Sequence, residues 1–140
     1  MIDLDSDFGR AVQSHLENEY VIWLTTVDSR LAPQPRPVWF IWEDESFLIF
    51  SQAKAHKVAH IQKHPKVALH FNTDESGDRN VMIFVGEASI ENDSPPAHNV
   101  PAYFEKYKEG IASLDMTPEA FSAEYSVAIR IRAAEIRGWE

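Results

Sequence analysis

The pattern of apolar and polar residues divides the chain into a helical start, a strand-rich stretch and further helical segments. Phe8, Val12 and Leu16 recur every four residues, which is the spacing of one buried helix face. An amphipathic helix is therefore predicted over residues 5–18. Beyond it, β-branched and aromatic runs separated by short turns predict six strands, over residues 20–27, 36–42, 47–51, 66–72, 80–90 and 126–136.

Further helical segments interrupt these strands. A helix is predicted over residues 53–64, and it ends before Pro65, which cannot continue a helix. Residues 101–110 and 118–123 form a second helical region, in which each segment has proline at a first-turn position. These helices lie between strands rather than in one block, so we expect them to be additions to a sheet.

The order of the elements predicts the fold class. Mostly antiparallel strands at short spacing, with the helices set aside, favour a mainly β fold: a closed or nearly closed β-barrel with helical additions. An open two-layer α+β sheet is the alternative. No repeat, low-complexity tract or long linker divides the sequence, so we expect a single domain over residues 1–140.

Composition narrows the classes of function. The chain has 140 residues and a formal net charge of −9, which disfavours binding to nucleic acid or to anionic membranes. It has no cysteine, which excludes disulfides, a thiolate nucleophile and a thiolate metal site. The apolar runs are far shorter than a membrane span, and the acidic N-terminus lacks the features of a secretory signal. We therefore expect a cytoplasmic protein.

The basic residues are unevenly distributed. Between Gln52 and Val67 there are four lysines, three histidines and no acidic residue, and we call this stretch the basic segment. The predicted helix begins there, just after a strand that ends at Ser51, and helix N-termini favour phosphate. Lys54 and Lys57 are expected on one face of its opening turns. The basic segment indicates a phosphate site or, alternatively, a solvated lysine-rich helix face.

Three histidines of the basic segment share one face of the predicted helix. His56, His60 and His64 stand at positions i, i+4 and i+8, a spacing that can bind zinc or copper. No acidic residue completes the ligand set, and the neighbouring lysines repel a cation. We therefore predict no metal site.

A third unusual feature is the alternation of proline in the segment before the aromatic run. Pro33, Pro35 and Pro37 remove successive N–H donors from one edge of an extended segment. The segment is therefore an edge strand or the wall of a pocket. The sequence has no glycine-rich phosphate loop, nucleophile elbow or obvious carboxylate pair, so redox chemistry would come from a bound cofactor.

Read together, these stretches resemble the flavin-binding split β-barrel of the pyridoxamine 5′-phosphate oxidase-like family. The likeness covers residues 21–90 and, more weakly, 126–139. It rests on the order and spacing of several short strings: Arg36-Pro-Val-Trp-Phe, Leu48-Ile-Phe-Ser, Ala55-His-Lys and His64-Pro-Lys-Val. The resemblance implies a homodimer that binds flavin mononucleotide (FMN) in the cleft between its subunits.

The resemblance also implies a set of cofactor-binding residues. Residues 36–40 would lie along the flavin ring, the family's phosphate motif falls on residues 55–57, and a C-terminal tryptophan would come from the partner subunit. Lys54 is added because it belongs to the basic segment. The cofactor-binding residues expected from the sequence are Arg36, Pro37, Val38, Trp39, Phe40, Phe50, Ser51, Lys54, His56, Lys57, Asn80 and Trp139.

Departures from the family pattern change the activity and the cofactor that we expect. Ile41 stands where the oxidase has a lysine near its substrate, and His56 replaces the motif's arginine. The sequence also ends at Glu140, before the oxidase's terminal substrate-binding residues. We therefore expect no oxidation of pyridoxamine phosphate. The residues in these short strings are closer to those of the branch of probable deazaflavin (coenzyme F420) reductases, so F420 is the alternative cofactor.

The resulting hypothesis is an oxidoreductase that uses FMN or F420 to move a hydride to or from a small organic substrate. No residue stands out as a catalytic acid or base. Two alternatives remain open: a non-catalytic flavin carrier or sensor, and a haem-binding or haem-degrading protein, for which the sequence has six histidines.

Overall fold

A computed structural model describes residues 3–140, which form seven strands and four α-helices with one short 3₁₀ helix. The strands are β1 (Val21–Val27), β2 (Pro33–Trp39), β3 (Ile41–Glu43), β4 (Ser46–Ser51), β5 (Lys66–His70), β6 (Val81–Ile90) and β7 (Val127–Trp139). The helices are α1 (Asp7–Asn18), α2 (His56–Lys63), α3 (Pro101–Ser113) and α4 (Pro118–Glu124), and the 3₁₀ helix is Ala97–Asn99.

The strands form one antiparallel sheet in the order β2-β1-β5-β6-β7-β4-β3. The long strand β7 pairs with all of β6 and, through its first half, with β4, so the sheet curls into a half-barrel. A bulge between Val85 and Gly86 assists this bend. A Cβ at Gly86 would lie 2.1 Å from the carbonyl oxygen of Arg132, so only glycine fits there. The predicted mainly β fold is confirmed.

Strand β4 is buried on both faces and separates two apolar clusters. On the concave face, Phe47 and Ile49 pack with Phe84 in the main core, which α1 helps to close. On the other face, Leu48 and Phe50 lie beneath α3 and α4 in a second cluster. The two helices are therefore packed against the strand that precedes the basic segment. Within residues 3–140, no helix is both long and apolar enough to cross a membrane.

The strand predicted over residues 36–42 is wrong as a single strand, because it breaks at Phe40 into β2 and β3. The backbone N–H of Phe40 donates to the Tyr107 hydroxyl (2.7 Å), and the Phe40 carbonyl accepts from Lys106 Nζ (2.9 Å). These bonds from α3 take the place of strand pairing. The proline-rich segment belongs to β2, which is an edge strand of the sheet, as its sequence predicts.

Helix α2 begins at His56, three residues later than predicted, because residues 52–55 form a turn closed by a bond from Ala55 N–H to the Gln52 carbonyl. Lys54 therefore precedes the helix, and the prediction that Lys54 and Lys57 share a face of its opening turns is wrong. The other predicted segments correspond to observed elements with shifted ends. The largest extensions are at the C-terminal ends of β7 and α3.

Candidate functional site

Two adjoining cavities lie along the edge strand β2, and both are lined by Pro37 and Lys57. The cationic cavity, of about 440 Å³, is also lined by Thr26, Asp28, Gln34, Arg36, Ala55, His56 and His60. The aromatic cavity, of about 330 Å³, is also lined by Val21, Val38, Trp39, Phe50, Tyr103, Leu114, Phe121 and Tyr125. Lys57 thus stands between a polar space and an apolar one.

The cationic cavity contains two basic side chains that repel each other. Lys57 is half-buried, and its pKa is lowered first by burial and then by the nearby charge of Arg36. Among residues 3–140, neither side chain forms an ion pair with an acidic residue. An anion bound between them would relieve this repulsion and stabilise the charged lysine.

Asp28, the acidic residue that lines the cationic cavity, is held by its own turn. Its carboxylate accepts bonds from the backbone N–H groups of Arg30 (2.8 Å) and Ala32 (2.9 Å) and from the Gln34 side chain (3.2 Å). These bonds, led by that of Ala32, lower the pKa of Asp28. Its negative charge is therefore already satisfied locally and does not pair with Lys57.

The first turn of α2 adds backbone donors to the cationic cavity. The residue that caps the helix is Ala55, which has no side-chain acceptor for the free N–H groups of this turn. Free N–H groups and the helix dipole both favour a bound anion. The cationic cavity therefore fits a phosphate group.

The histidines of the basic segment have separate environments. His60 Nδ1 lies 3.1 Å from the hydroxyl of the buried Thr26, whereas His56 is exposed at the cavity and its ring centre is 6.3 Å from that of His60. His64 does not line either cavity. Residues 3–140 contain no group of three or more side chains placed to hold a metal ion.

Aromatic rings from four elements pack at and behind the wall of the aromatic cavity. Trp39 of β2 stacks on Tyr107 of α3 with ring centres 4.6 Å apart, and on Phe121 of α4 at 5.8 Å. Phe50 of β4 meets Tyr103 edge to face at 4.9 Å. Lys57 therefore borders a cavity whose wall consists largely of packed aromatic rings.

Helix α3 is anchored to the break between β2 and β3. The Tyr107 hydroxyl accepts the Phe40 N–H, and its single proton is within reach of two carbonyl oxygens, that of Tyr20 at 2.7 Å and that of Phe40 at 2.8 Å. Lys106 Nζ stands 3.8 Å from the centre of the Phe40 ring, and burial lowers its pKa to about 8. This anchor was not predicted from the sequence, although Tyr103 and Tyr107 are spaced four apart in the helix predicted over residues 101–110.

The anchor yields a stability prediction. Tyr107→Phe is expected to lower the free energy of unfolding by about 1–3 kcal/mol, because it leaves the buried Phe40 N–H without a partner. Tyr103→Phe is the matched control: it removes, from the same helix, a hydroxyl that has no hydrogen-bond partner within residues 3–140, and stability should change little. Chemical denaturation of the three proteins measures this, and equal stability of both variants would contradict the role given to Tyr107.

Most of the residues expected from the sequence meet at the two cavities. Arg36, Pro37, Val38, Trp39, Phe50, His56 and Lys57 all contribute to their walls. Others do not. The Phe40 side chain is in the core, Ser51 is buried and donates its hydroxyl to the Gln52 carbonyl, and Lys54 is exposed in the turn before α2.

Asn80 and Trp139 lie together at one end of strand β6, away from the cavities. Trp139 is opposite Val81, at the end of the β6–β7 ladder, and its indole N–H donates to the Asp78 carbonyl. Neither Asn80 nor Trp139 lines the cationic or the aromatic cavity. Within one chain, these two residues therefore do not join the cavities at β2.

The fold is that of a split-barrel protein, and two adjoining cavities, one cationic and one aromatic, lie along its edge strand. A family model described as pyridoxamine 5′-phosphate oxidase matches residues 8–140, and the chain belongs to that family. The family expected from the sequence is confirmed. No curated protein matches the sequence.

Solved structures with the same fold come from functionally different proteins. A putative pyridoxamine 5′-phosphate oxidase from Listeria innocua is 23% identical (TM-score 0.68; 91% of this chain and 94% of that chain covered). An F420 reductase is also 23% identical (TM-score 0.66; 89% of this chain and 94% of that chain covered). HutZ, a haem storage protein from Vibrio cholerae, is 14% identical (TM-score 0.65; 94% of this chain and 94% of that chain covered). At these identities, the likeness shows the fold alone.

Proposed function

We propose that the protein is a homodimeric oxidoreductase that binds FMN or coenzyme F420 and transfers a hydride to or from a small organic substrate. The observation that carries this proposal is the continuity of the cationic and aromatic cavities at Lys57. Both cofactors combine a flat fused ring with a phosphate. The two-part cavity matches that combination in charge and in shape.

The chain's own residues would bind and orient the cofactor. Lys57, Arg36 and the first turn of α2 would hold the phosphate, with His56 as a further, pH-dependent partner. Val38 and Trp39 would position the ring along β2. The bound cofactor would supply the redox chemistry, since no side chain of the site is assigned as an acid or base.

The outer face of the sheet supports the homodimer. Two rows of directly paired, uncharged residues cross four strands there, and β2 contributes exposed Pro35 and Pro37. Contact between two copies through these rows would bury mainly uncharged surface, with Arg137 of β7 at the end of one row and Glu135 of β7 at the end of the other. The rows are Pro37–Trp23–His70–Ile83 and Pro35–Thr25–Ala68–Val85.

The same face would also give Trp139 a role in the proposed dimer. Trp139 is 56% exposed and stands opposite Val81, so it shares the outer face with the two rows. Because the rows begin at the cavities and end near Trp139, a two-fold arrangement would bring the partner subunit's Trp139 towards β2. We propose the same for Asn80, which precedes β6.

Catalysis is tested by turnover. The protein loaded with FMN or F420 is expected to exchange electrons repeatedly with a reduced nicotinamide or deazaflavin donor, followed as loss of donor absorbance. A stable loaded complex without turnover would indicate a carrier or sensor. We expect the protein to act in the cytoplasm.

Haem binding is a second candidate because the exposed His56 and half-buried His60 both line the cationic cavity. A histidine nitrogen could coordinate the iron while Lys57 and Arg36 pair with the propionates. Reconstitution with haem tests this: a haem-type spectrum that is lost in His56→Ala or His60→Ala would favour it over the cofactor proposal.

A further inference from the structure

His60 has one ring nitrogen that the protein uses and one that it leaves free. Its Nδ1 lies 3.1 Å from the hydroxyl oxygen of Thr26, a residue that is 2% exposed. Within residues 3–140, Nε2 has no hydrogen-bond partner, and the ring forms no ion pair with an acidic residue. No fully enclosed side-chain nitrogen or oxygen of these residues lacks a partner, so Nε2 is open to solvent.

The hydroxyl of Thr26 decides which nitrogen of His60 carries the proton. A hydroxyl has one proton to donate, and in the described part of the chain His60 Nδ1 is the one partner of this hydroxyl. If Nδ1 carried the proton, the buried hydroxyl would have no acceptor in the protein, which is unfavourable. Thr26 therefore donates to Nδ1, and the neutral ring carries its proton on Nε2.

The ring of His60 belongs to the lining of the cationic cavity, together with Lys57 and Arg36. Its centre is 6.3 Å from that of His56, which lines the same cavity. The two nitrogens of an imidazole point in widely different directions, so Nε2 points away from the buried Thr26. A phosphate held by Lys57 and Arg36 would thus meet a further donor from α2, one that carries no charge.

We propose that His60 donates a hydrogen bond from its Nε2–H to the phosphate of the bound cofactor, and that Thr26 is a positioning residue that keeps the proton on Nε2. The inference rests on the proposed function, in which the cationic cavity holds the phosphate. It adds His60 to the cofactor-binding residues expected from the sequence. His56, by contrast, is exposed and has no partner within residues 3–140 that fixes its proton.

FMN and riboflavin form a matched pair of probes because they differ only in the phosphate. The ratio of their affinities, measured by fluorescence titration, reports what the phosphate contributes. His60→Leu is expected to lower this ratio about tenfold, the worth of a hydrogen bond to a charged group. His64→Leu is the control, since His64 is close by in the chain and lines neither cavity. An unchanged ratio in His60→Leu, or an equal loss in His64→Leu, would overturn the proposal.

Two substitutions of Thr26 test its positioning role. Thr26→Val keeps the shape of the side chain but removes the hydroxyl, and it is expected to lower the FMN affinity about threefold. Thr26→Ser retains the hydroxyl and should retain the affinity. In the His60→Leu background, Thr26→Val should have no further effect, because Thr26 acts through His60. The same threefold loss in that background would overturn the positioning role.

Proton–nitrogen NMR of the unloaded protein shows the position of the proton on His60 and separates this inference from the proposed function. At about pH 8, where a free imidazole is neutral, the signals that disappear in His60→Leu should report a proton on Nε2 and should shift with inorganic phosphate. If they do so but FMN fails to bind, the cofactor proposal fails and the phosphate contact of His60 stands. If FMN binds but the proton is on Nδ1, the cofactor proposal stands and the role of His60 fails.

Discussion

Replacing Lys57 by glutamate is expected to weaken FMN binding by about 100-fold or more while leaving the protein folded. The lysine is half-buried between the cationic and aromatic cavities, and the described residues give it no acidic partner. Its loss would remove a charge-assisted hydrogen bond to the phosphate, and the new carboxylate would repel the phosphate. The carboxylate would also pair with Arg36 and withdraw that side chain from the ligand.

Lys63→Glu is the matched control for this charge reversal. Lys63 lies on the same helix, is exposed, and lines neither cavity. Both variants change the net charge equally, so an effect of total charge would appear in both. Fluorescence titration with FMN measures the affinity, and circular dichroism checks the fold. If Lys57→Glu binds FMN as tightly as Lys63→Glu does, Lys57 does not hold the phosphate.

Replacing Trp23 by glutamate is expected to convert the dimer into monomers and to remove bound cofactor with it. Trp23 is at the centre of the outer rows, paired with Pro37 on one side and with His70 on the other. A carboxylate there would be buried without a partner in the dimer, which costs several kcal/mol. The monomer should stay folded, because the Trp23 side chain is on the outer face and not in either apolar cluster.

Ala112→Glu controls for the added charge, since Ala112 is exposed on α3 outside the cavities and the outer rows. Light scattering after gel filtration should give twice 16.0 kDa for the native protein and this control, and 16.0 kDa for Trp23→Glu. A Trp23→Glu protein that remains dimeric would place the interface on another face. A monomer that keeps its FMN would show that one chain suffices for the site.

Local chemistry predicted the parts of the site that lie close together in sequence. The alternating prolines of β2 indicated an edge strand, since proline has no N–H for a neighbour, and β2 is at the sheet edge. The acid-free basic segment located Lys57 and the start of α2 to within three residues. The exact helix start escaped prediction because Ala55 gives no capping signal, and the pattern of apolar residues does not distinguish the preceding turn from a helical one.

The aromatic wall could not be predicted because it depends on contacts between distant parts of the chain. Tyr107 and Phe40 are 67 positions apart in sequence, and their hydrogen bond is what ends β2. Tyr103 looks like an ordinary core residue of an amphipathic helix, and only the folded structure shows that it lines a cavity. The distance of Trp139 from β2 likewise became apparent only from the strand order, which the sequence did not specify.

The most direct test of the account is the visible absorption spectrum of the purified protein after incubation with excess FMN or F420 and removal of unbound cofactor by gel filtration. We predict that flavin or deazaflavin absorption stays with the protein at close to one cofactor per chain. A protein that retains neither cofactor, or that shows a haem spectrum instead, would contradict the proposal that the cationic and aromatic cavities together form a flavin or deazaflavin site.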